Sequence, residues 1–474
     1  MELTRAAASL VVAGLLLGLT PSPARGQATT GVDAYYEFLV ARHLEGEGDN
    51  AGALAALQRA AVAEPRSAEV RAEIAAFQMR HNQRGEAEKA AREALAIDEN
   101  NMEANRVLGQ ILASNADRES SNAQLIALYV RDAITHLEKA AAAATGVADP
   151  NVNYTLAGLY LRTGQPEKAT QAMTRVLSQN PGSRQARLRM AQAQAQSKDL
   201  QGAITTLEEI VDDDPGVAGT LAGYQVDAGL LREAVDSYTR ALAVAPTNRL
   251  FKARRILVLY DLMDFVQAAS LAADVQKQHP DDPQFPRLQA TALYAGGNAA
   301  KAIEVLEGTI AAFPRDVPSR LVLADLYQKA KRFPDAEKVL RQMLAADPTN
   351  ADALNSLGYM LANNNDRLDE AIRLVNQALQ KEPGNGAYLD SLGWAHFKKG
   401  DLDQAEKYLT EAIAKLPMNA EVLDHIGDLH AKRSQWQQAI DSWSQALDGD
   451  GSAANKDEIQ KKIESAKGKL PNAR

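Results

Sequence analysis

Hydrophobic residues recur at helical spacing in the stretch AYLDSLGWAHFKKGDLDQAEKYLTEAIAKLP, residues 387–417. Leu389 and Leu392 lie on one face of a first predicted helix, and Gly400 interrupts the pattern after it. Proline cannot continue a helix, so Pro417 is predicted to end a second one. That second helix carries an apolar stripe spaced mainly by three and four residues: Leu402, Ala405, Leu409, Ala412 and Ile413.

The same two-helix pattern recurs through most of the chain with a period close to 34 residues. LNSLGY at 354–359, LDSLGW at 389–394 and LDHIGD at 423–428 are its clearest copies. One position of the first helix is small in every copy except the seventh: Ala41, Ala75, Gly109, Ala157, Ala191, Ala222, Ile256, Ala290, Ala324, Gly358, Gly393 and Gly427. One position of the second helix is always alanine: Ala53, Ala87, Ala133, Ala169, Ala203, Ala234, Ala268, Ala302, Ala336, Ala371, Ala405 and Ala439.

These small side chains have a steric interpretation. Glycine or alanine lets two helix backbones approach closely, whereas a larger side chain would keep them apart. A single helix pair cannot bury its apolar faces, so successive pairs must stack on one another. The sequence therefore predicts an all-α solenoid of about twelve helix pairs, which we number repeats 1 to 12.

The pattern resembles the tetratricopeptide repeat over about residues 32–451. Repeats 10 to 12 carry the resemblance best, through these residues: Leu357, Gly358, Ala371, Leu392, Gly393, Ala405, Ala412 and Pro417. The family's early tryptophan is missing throughout, and glycine at the eighth position is kept only in repeats 3, 10, 11 and 12. The resemblance implies a right-handed superhelical solenoid whose first helices line a concave groove.

The period also predicts how the chain is organised. Residues 27–215 would hold repeats 1 to 5, and residues 216–451 would hold repeats 6 to 12. Residues 452–474 place Ile459, Ile463, Ala466 and Leu470 along one stripe, which predicts a C-terminal capping helix and a short tail. Four glycines in 216–229 weaken the first helix of repeat 6, so a flexible joint is predicted there.

Repeat 3 is about fourteen residues longer than the others. Its second helix is expected to be longer, with Ser120 or Ser121 as the N-cap. Leu125, Leu128 and Tyr129 would add apolar surface. This surface either packs on a neighbouring repeat or forms a protrusion to which a partner docks.

The first 26 residues have the layout of a secretory signal peptide. Arg5 precedes an uncharged apolar run at 6–19, and Ala24 and Gly26 form a small-residue cleavage site. The run of 14 residues is shorter than the roughly 20 that a spanning helix needs. We expect an exported, periplasmic protein, with an uncleaved N-terminal anchor as the alternative. The chain has no cysteine, which excludes disulfides and thiol catalysis.

Charge and motifs narrow the function further. The formal net charge is −9, so a nucleic-acid partner is not expected. No nucleotide-binding loop, zinc-protease motif or serine-hydrolase motif is present, and no cofactor is predicted. His425 and His430 are five residues apart, and neighbouring helical ligands are three or four apart. They are therefore interpreted as packing or solvated residues, and no metal site is predicted.

The groove is the better candidate for a site. By position in the repeat, seven residues of repeats 10 to 12 are predicted to line it: Asn355, Tyr359, Asp390, Trp394, Phe397, Asp424 and Asp428. Aromatic rings beside carboxylates suit an extended peptide that carries lysine or arginine. The alternative is that Trp394 and Phe397 pack between neighbouring helices.

The sequence thus predicts a non-enzymatic scaffold that binds proteins or peptides along its groove in the bacterial cell envelope. One alternative is a component of an outer-membrane-associated complex that exports protein or polysaccharide. Another is an enzyme subunit with a site in the groove.

Overall fold

A computed structural model describes residues 30–143, 149–212, 215–450 and 455–470 of the chain. In these ranges the secondary structure is helical, apart from one isolated bridge between Asn419 and Asp450. The helices before residue 214 form one compact unit, and those from residue 215 onward form another. The predicted signal peptide, residues 1–26, lies outside the described residues.

The first unit contains ten helices among its described residues: α1 Thr30–Gly46, α2 Asn50–Ala63, α3 Ala68–Arg80, α4 Arg84–Ile97, α5 Met102–Arg118, α6 Ala123–Ala143, α7 Pro150–Arg162, α8 Pro166–Gln179, α9 Arg184–Gln196 and α10 Leu200–Glu208. They form the helix pairs of repeats 1 to 5.

The second unit begins with a short 3₁₀ turn, Pro215–Val217, and continues with fifteen helices in its described part. Those of repeats 6 to 9 are α11 Ala218–Asp227, α12 Leu231–Val244, α13 Arg249–Asp261, α14 Phe265–Gln278, α15 Gln284–Ala295, α16 Ala299–Ala312, α17 Val317–Lys329 and α18 Phe333–Ala346. The rest are α19 Ala351–Asn363, α20 Leu368–Lys381, α21 Gly386–Lys399, α22 Leu402–Lys415, α23 Ala420–Lys432, α24 Trp436–Leu447 and α25 Lys456–Lys467.

Short polar side chains start many of the first helices. Asn350, Asn385 and Asn419 cap α19, α21 and α23, each accepting a hydrogen bond from a backbone N–H of the first turn. Such caps satisfy N–H groups that have no partner inside the helix. The starts of these three first helices are therefore encoded locally.

The alanine that recurs in every second helix has no exposed surface in any of the twelve repeats. The corresponding position of the first helix is also buried in every repeat, including repeat 7, where it is Ile256. At Gly393, an added Cβ would come within 2.7 Å of Leu409 Cγ and 3.1 Å of the Leu409 backbone nitrogen. The small residues mark close contact between paired helices, and the predicted all-α repeat fold is confirmed.

Repeat 3 takes up its extra residues in long helices. α5 has 17 residues and α6 has 21. Asn122 caps α6 by accepting a hydrogen bond from the Leu125 N–H at 3.0 Å. The N-cap is therefore not Ser120 or Ser121, and Ser121 instead donates to Glu119.

The added surface of α6 is partly packed and partly open. Tyr129 contacts the core of the first unit, whereas Leu128 is 41% exposed.

The four glycines of repeat 6 occupy different environments. Gly216 lies in the 3₁₀ turn, and Gly229 has φ +75° in the turn after α11. Gly219 and Gly223 lie inside α11, which has only 10 residues. An added Cβ at Gly219 would come within 2.3 Å of the Phe251 ring, whereas Gly223 has open space around it.

The predicted capping helix is present as α25. Its residues Ile459, Ile463 and Ala466 are buried against Trp443 and neighbouring apolar side chains of repeat 12. The exposed side of α25 is charged, as the open end of a repeat array requires.

Candidate functional site

Four aromatic rings adjoin one another across repeats 10, 11 and 12, and three of them are stacked. Trp394 lies between two of them, with ring centroids 4.0 Å from His425 and 5.0 Å from Phe397. Both pairs are nearly parallel, at 15° and 13°. Tyr359 is also next to His425, with ring centroids 6.4 Å apart and planes tilted by 43°. We call these four residues the aromatic stack.

A buried ion pair holds the centre of the stack. His425 Nδ1 lies 2.9 Å from Asp390 Oδ1, and both side chains are at least nine-tenths buried. Burial alone would lower the pKa of His425, but the carboxylates of Asp390 and, to a smaller extent, Glu421 and Asp424 together more than offset this and raise the pKa above its usual value. The pair joins α21 to α23, so it fixes the orientation of the imidazole between the flanking rings.

Tyr359 is held from the opposite end of the site. Its hydroxyl donates to Glu421 Oε1 at 2.5 Å. Tyr359 belongs to repeat 10 and Glu421 to repeat 12, so this hydrogen bond passes over repeat 11. Burial and the nearby Glu421 carboxylate raise the pKa of Tyr359 well above its usual value, which keeps the phenol protonated as a donor.

The capping helix supplies a lysine to two predicted groove carboxylates. Lys462 Nζ lies 2.8 Å from both Asp424 Oδ1 and Asp428 Oδ1. Burial raises the pKa of Asp428, and Lys462 opposes that rise. Burial has the opposite effect on Lys462 and would lower its pKa. The Asp424 and Asp428 carboxylates outweigh this effect and raise the pKa of Lys462.

The remaining predicted residues differ in exposure. Trp394 is 7% exposed, and its indole N–H donates to Asn363 at 3.3 Å. Phe397 and Asn355 are half-buried. The Asn355 Oδ1 atom is buried without a hydrogen-bond partner among the described residues.

The structure thus places all seven predicted residues on α19, α21 and α23, close to the aromatic stack. Asp390, Asp424 and Asp428 each contact a basic side chain of the same chain. Trp394 and Asp390 are buried, while Asn355, Tyr359, Phe397, Asp424 and Asp428 are half-buried. Binding of a partner along this surface stays a prediction.

Three residues of the site were missed by sequence reasoning. Glu421 occupies a first-turn position of its repeat, so repeat register could have identified it. His425 was interpreted as a packing or solvated residue, and its ion pair with Asp390 was not predicted. Lys462 lies in the capping helix, which has no repeat register from which to predict its contacts.

The site has no arrangement of ligands for a metal ion. His430 Nδ1 contacts Gln435 at 2.8 Å, away from the pair that His425 forms. Within the described residues, no group of three or more His, Asp or Glu side chains converges as a metal site would require. Nor does any helix in the described part of the chain combine the length and apolar character needed to cross a membrane.

Comparisons with known proteins identify the repeat. Family models described as tetratricopeptide repeat match residues 164–222, 253–317, 293–358 and 364–449. A tetratricopeptide repeat-containing protein of Pseudomonas aeruginosa is 28% identical over 187 residues, which are 39% of this chain. The match spans only 31% of that relative's length.

Solved structures include similar helical arrays. Yeast Tom70 is 12% identical, with a TM-score of 0.46, over 92% of this chain and 96% of that one. The structure of Naa15/Naa10 bound to HypK-THB is 14% identical, with a TM-score of 0.45, over 92% of this chain and 72% of that one. The family matches span more than half of the sequence, and buried alanines mark every repeat. The chain belongs to the tetratricopeptide repeat family.

Proposed function

We propose that the protein is a non-enzymatic scaffold of the bacterial cell envelope, and that it binds a protein or peptide along the groove face of repeats 10 to 12. Tetratricopeptide repeats serve protein–protein interaction, so a scaffold is the function that the family implies. The proposal adds the location, the face that binds and the absence of catalysis.

The observation that carries the proposal is the fixed aromatic stack on the first helices. Its rings are held by the Asp390–His425 pair and the Tyr359–Glu421 hydrogen bond. A surface that is ordered before binding loses little conformational entropy when a partner docks. Half-buried Phe397 offers aromatic area for that contact.

The ion pairs change the expectation from sequence that the groove prefers a peptide carrying lysine or arginine. Asp424 and Asp428 already hold Lys462, so a lysine of a partner would have to compete with it. We therefore assign most of the binding free energy at the groove to aromatic contact, and a smaller part to recognition of a basic side chain.

The test places a photo-crosslinking amino acid at Asn355 or Phe397 in the full chain. The matched control has the same group at Gln377, an exposed position on α20 of repeat 10. We expect crosslinked partners from the two groove positions and not from Gln377. Equal crosslinking at all three positions would refute the groove assignment.

Location needs a separate test. Residues 1–26 fused to a reporter that is active only after export should give activity, and the same fusion with Leu15→Arg should not. An inactive fusion would contradict the envelope location and leave the groove proposal standing.

An export-complex component is the alternative within the same class. It predicts that the crosslinked partner is an outer-membrane protein, and the crosslinking experiment identifies the partner directly.

A further inference from the structure

A cleft opens between the last repeat and the capping helix, at the end of the second unit. It has a volume of 570 Å³ and is lined by residues of α21, α23, α24 and α25. Phe397, Trp436 and Trp443 give it an aromatic floor. Phe397 and Asp428 are also predicted groove residues, so the cleft adjoins the groove, shares α21 and α23 with it, and adds α24 and α25.

The rim of this cleft is basic although the whole chain is acidic. Lys432, Lys461 and Lys469 line it and are exposed, and none of them forms an ion pair with another described residue. The ammonium of Lys469 lies 4.2 Å from the centre of the Trp436 ring. A lysine over an aromatic face is held there by the ring electrons and remains available to an anion.

The other charged residues of the cleft do not cancel this rim. Lys462 also lines it but is already paired with Asp424 and Asp428, which together bring two negative charges to one lysine. Glu458 is an exposed acid at the edge of the cleft. Asp428 is itself part of the lining, so four lysines face two carboxylates there, with Asp424 as a third beside Lys462, within a chain of net charge −9.

We propose that this cleft binds an acidic peptide segment that carries an aromatic or aliphatic side chain beside its carboxylates. This surface is additional to the groove of the proposed function and prefers the opposite charge. The apolar side chain packs on the floor of Phe397, Trp436 and Trp443. The carboxylates meet the ammonium groups of the rim.

Charge complementarity selects this occupant over a polyanion such as nucleic acid. Rim lysines are flexible point charges that suit single carboxylates, and they lack the planar fork with which arginine holds phosphates. The overall charge of −9 repels a long polyanion, whereas a short peptide interacts mainly with the local rim because salt screens more distant charges. The aromatic floor also needs an apolar side chain to cover it.

The test uses the full chain and a fluorescein-labelled peptide, Glu-Glu-Phe-Glu-Glu-Leu, with binding followed by anisotropy. A second peptide has glutamine at each glutamate position. We expect the glutamate peptide to bind about tenfold more tightly, because two exposed charge pairs together contribute roughly that factor. Its affinity should fall as ionic strength rises. Equal binding of the two peptides would overturn the proposal.

Two charge-matched variants locate the site on the protein. Lys461→Glu with Lys469→Glu reverses two lysines of the rim. Lys456→Glu with Lys467→Glu makes the same change in net charge at two lysines of α25 that do not line the cleft. We expect the first variant to bind the glutamate peptide about tenfold more weakly and the second to bind like the original chain.

Equal losses in the two variants would overturn the proposal, because the peptide would then sense only net charge. Far-UV circular dichroism checks that both variants keep their helices. Trp436→Leu provides a second readout, since it removes part of the apolar floor together with the ring on which Lys469 rests. It should weaken both the glutamate and the glutamine peptide, and an unchanged affinity would exclude the floor from the site.

Discussion

The indole of Trp394 lies almost flat on the imidazole of His425, with ring centroids 4.0 Å apart and planes 15° from parallel. The two residues come from consecutive repeats, so their contact joins α21 to α23. Both side chains are less than 8% exposed. A residue at a groove position of the repeat can therefore act as a core residue.

Trp394→Ala is expected to lower the free energy of unfolding by about 3–5 kcal/mol, since it leaves a cavity between two repeats. Urea denaturation followed by circular dichroism measures the change. Met418→Ala is the control at a half-exposed position, where the change should stay within about 0.5 kcal/mol. A loss below about 1 kcal/mol for Trp394→Ala would contradict a core role.

The Asp390–His425 pair predicts a dependence of stability on pH. Because the fold raises the pKa of His425, its contribution is complete below the unfolded value of about 6.5 and is lost as pH rises through the folded value. Asp390→Asn removes the main charge that raises this pKa and leaves the burial that lowers it, opposed only by Glu421 and Asp424. The variant should therefore lose less stability than the original chain as pH rises through that range.

Unfolding free energies measured by urea from pH 5 to 9 test this prediction. His425→Gln removes the titrating group and is the baseline against which both proteins are compared. The same slope in the original chain and in Asp390→Asn would show that the pair does not set the pKa of His425.

Gly427→Ala is expected to destabilise repeat 12 by about 1–3 kcal/mol, because overpacking forces neighbouring groups to move. The added Cβ would lie 2.4 Å from Cδ1 and Nε1 of Trp443, a buried ring with little room to shift. Gly308→Ala is the matched control inside α16, where an added Cβ meets nothing within 4 Å. Gly308→Ala should raise the free energy of unfolding by up to about 1 kcal/mol. The midpoint temperatures of thermal unfolding of the two variants should therefore shift in opposite directions.

The proposed joint in repeat 6 leads to a prediction about hydrogen exchange. Amides of α11 should exchange faster than those of α13, because two of its ten residues are glycines. Gly223→Ala should slow exchange in α11 by roughly fivefold, the factor that corresponds to about 1 kcal/mol. Gly219→Ala should not slow it, since the added Cβ would contact the Phe251 ring. If the amides of α11 were as protected from exchange as those of α13, the prediction of a flexible joint would be wrong.

Lys462→Met is expected to cost about 1–3 kcal/mol at neutral pH, because Asp424 and Asp428 lose their shared cation. Part of that loss should be recovered as pH falls, since Asp428 has a raised pKa and becomes neutral early. Lys461→Met, at an exposed lysine without an ion pair, should change stability by less than about 0.5 kcal/mol. Thermal unfolding at neutral and acidic pH measures both, and equal effects of the two variants would contradict a special role for Lys462.

Most of the fold could be predicted from the sequence because it depends on a repeated steric requirement. The alanines at positions such as Ala371 and Ala405 are buried wherever the period places them. The N-cap of α6 could not be chosen in advance, since Ser120, Ser121 and Asn122 are consecutive and serine and asparagine cap helices about equally well.

The site was harder to predict than the fold. Repeat position identified Asp390, Asp424 and Asp428, but their partners lie 34 to 38 residues away in sequence and depend on how side chains meet across stacked helices. Lys462 comes from outside the repeats, so the period carried no information about it. Register predicts which face a residue lies on, and packing decides what it touches.

The hydrogen bond from Tyr359 to Glu421 has a consequence for how the second unit comes apart. In an array held only by adjacent repeats, terminal units can fray singly and their stabilities add. Deleting repeat 12 here would leave the buried phenol of Tyr359 without its acceptor two repeats away. The last three repeats should therefore melt together as one cooperative block.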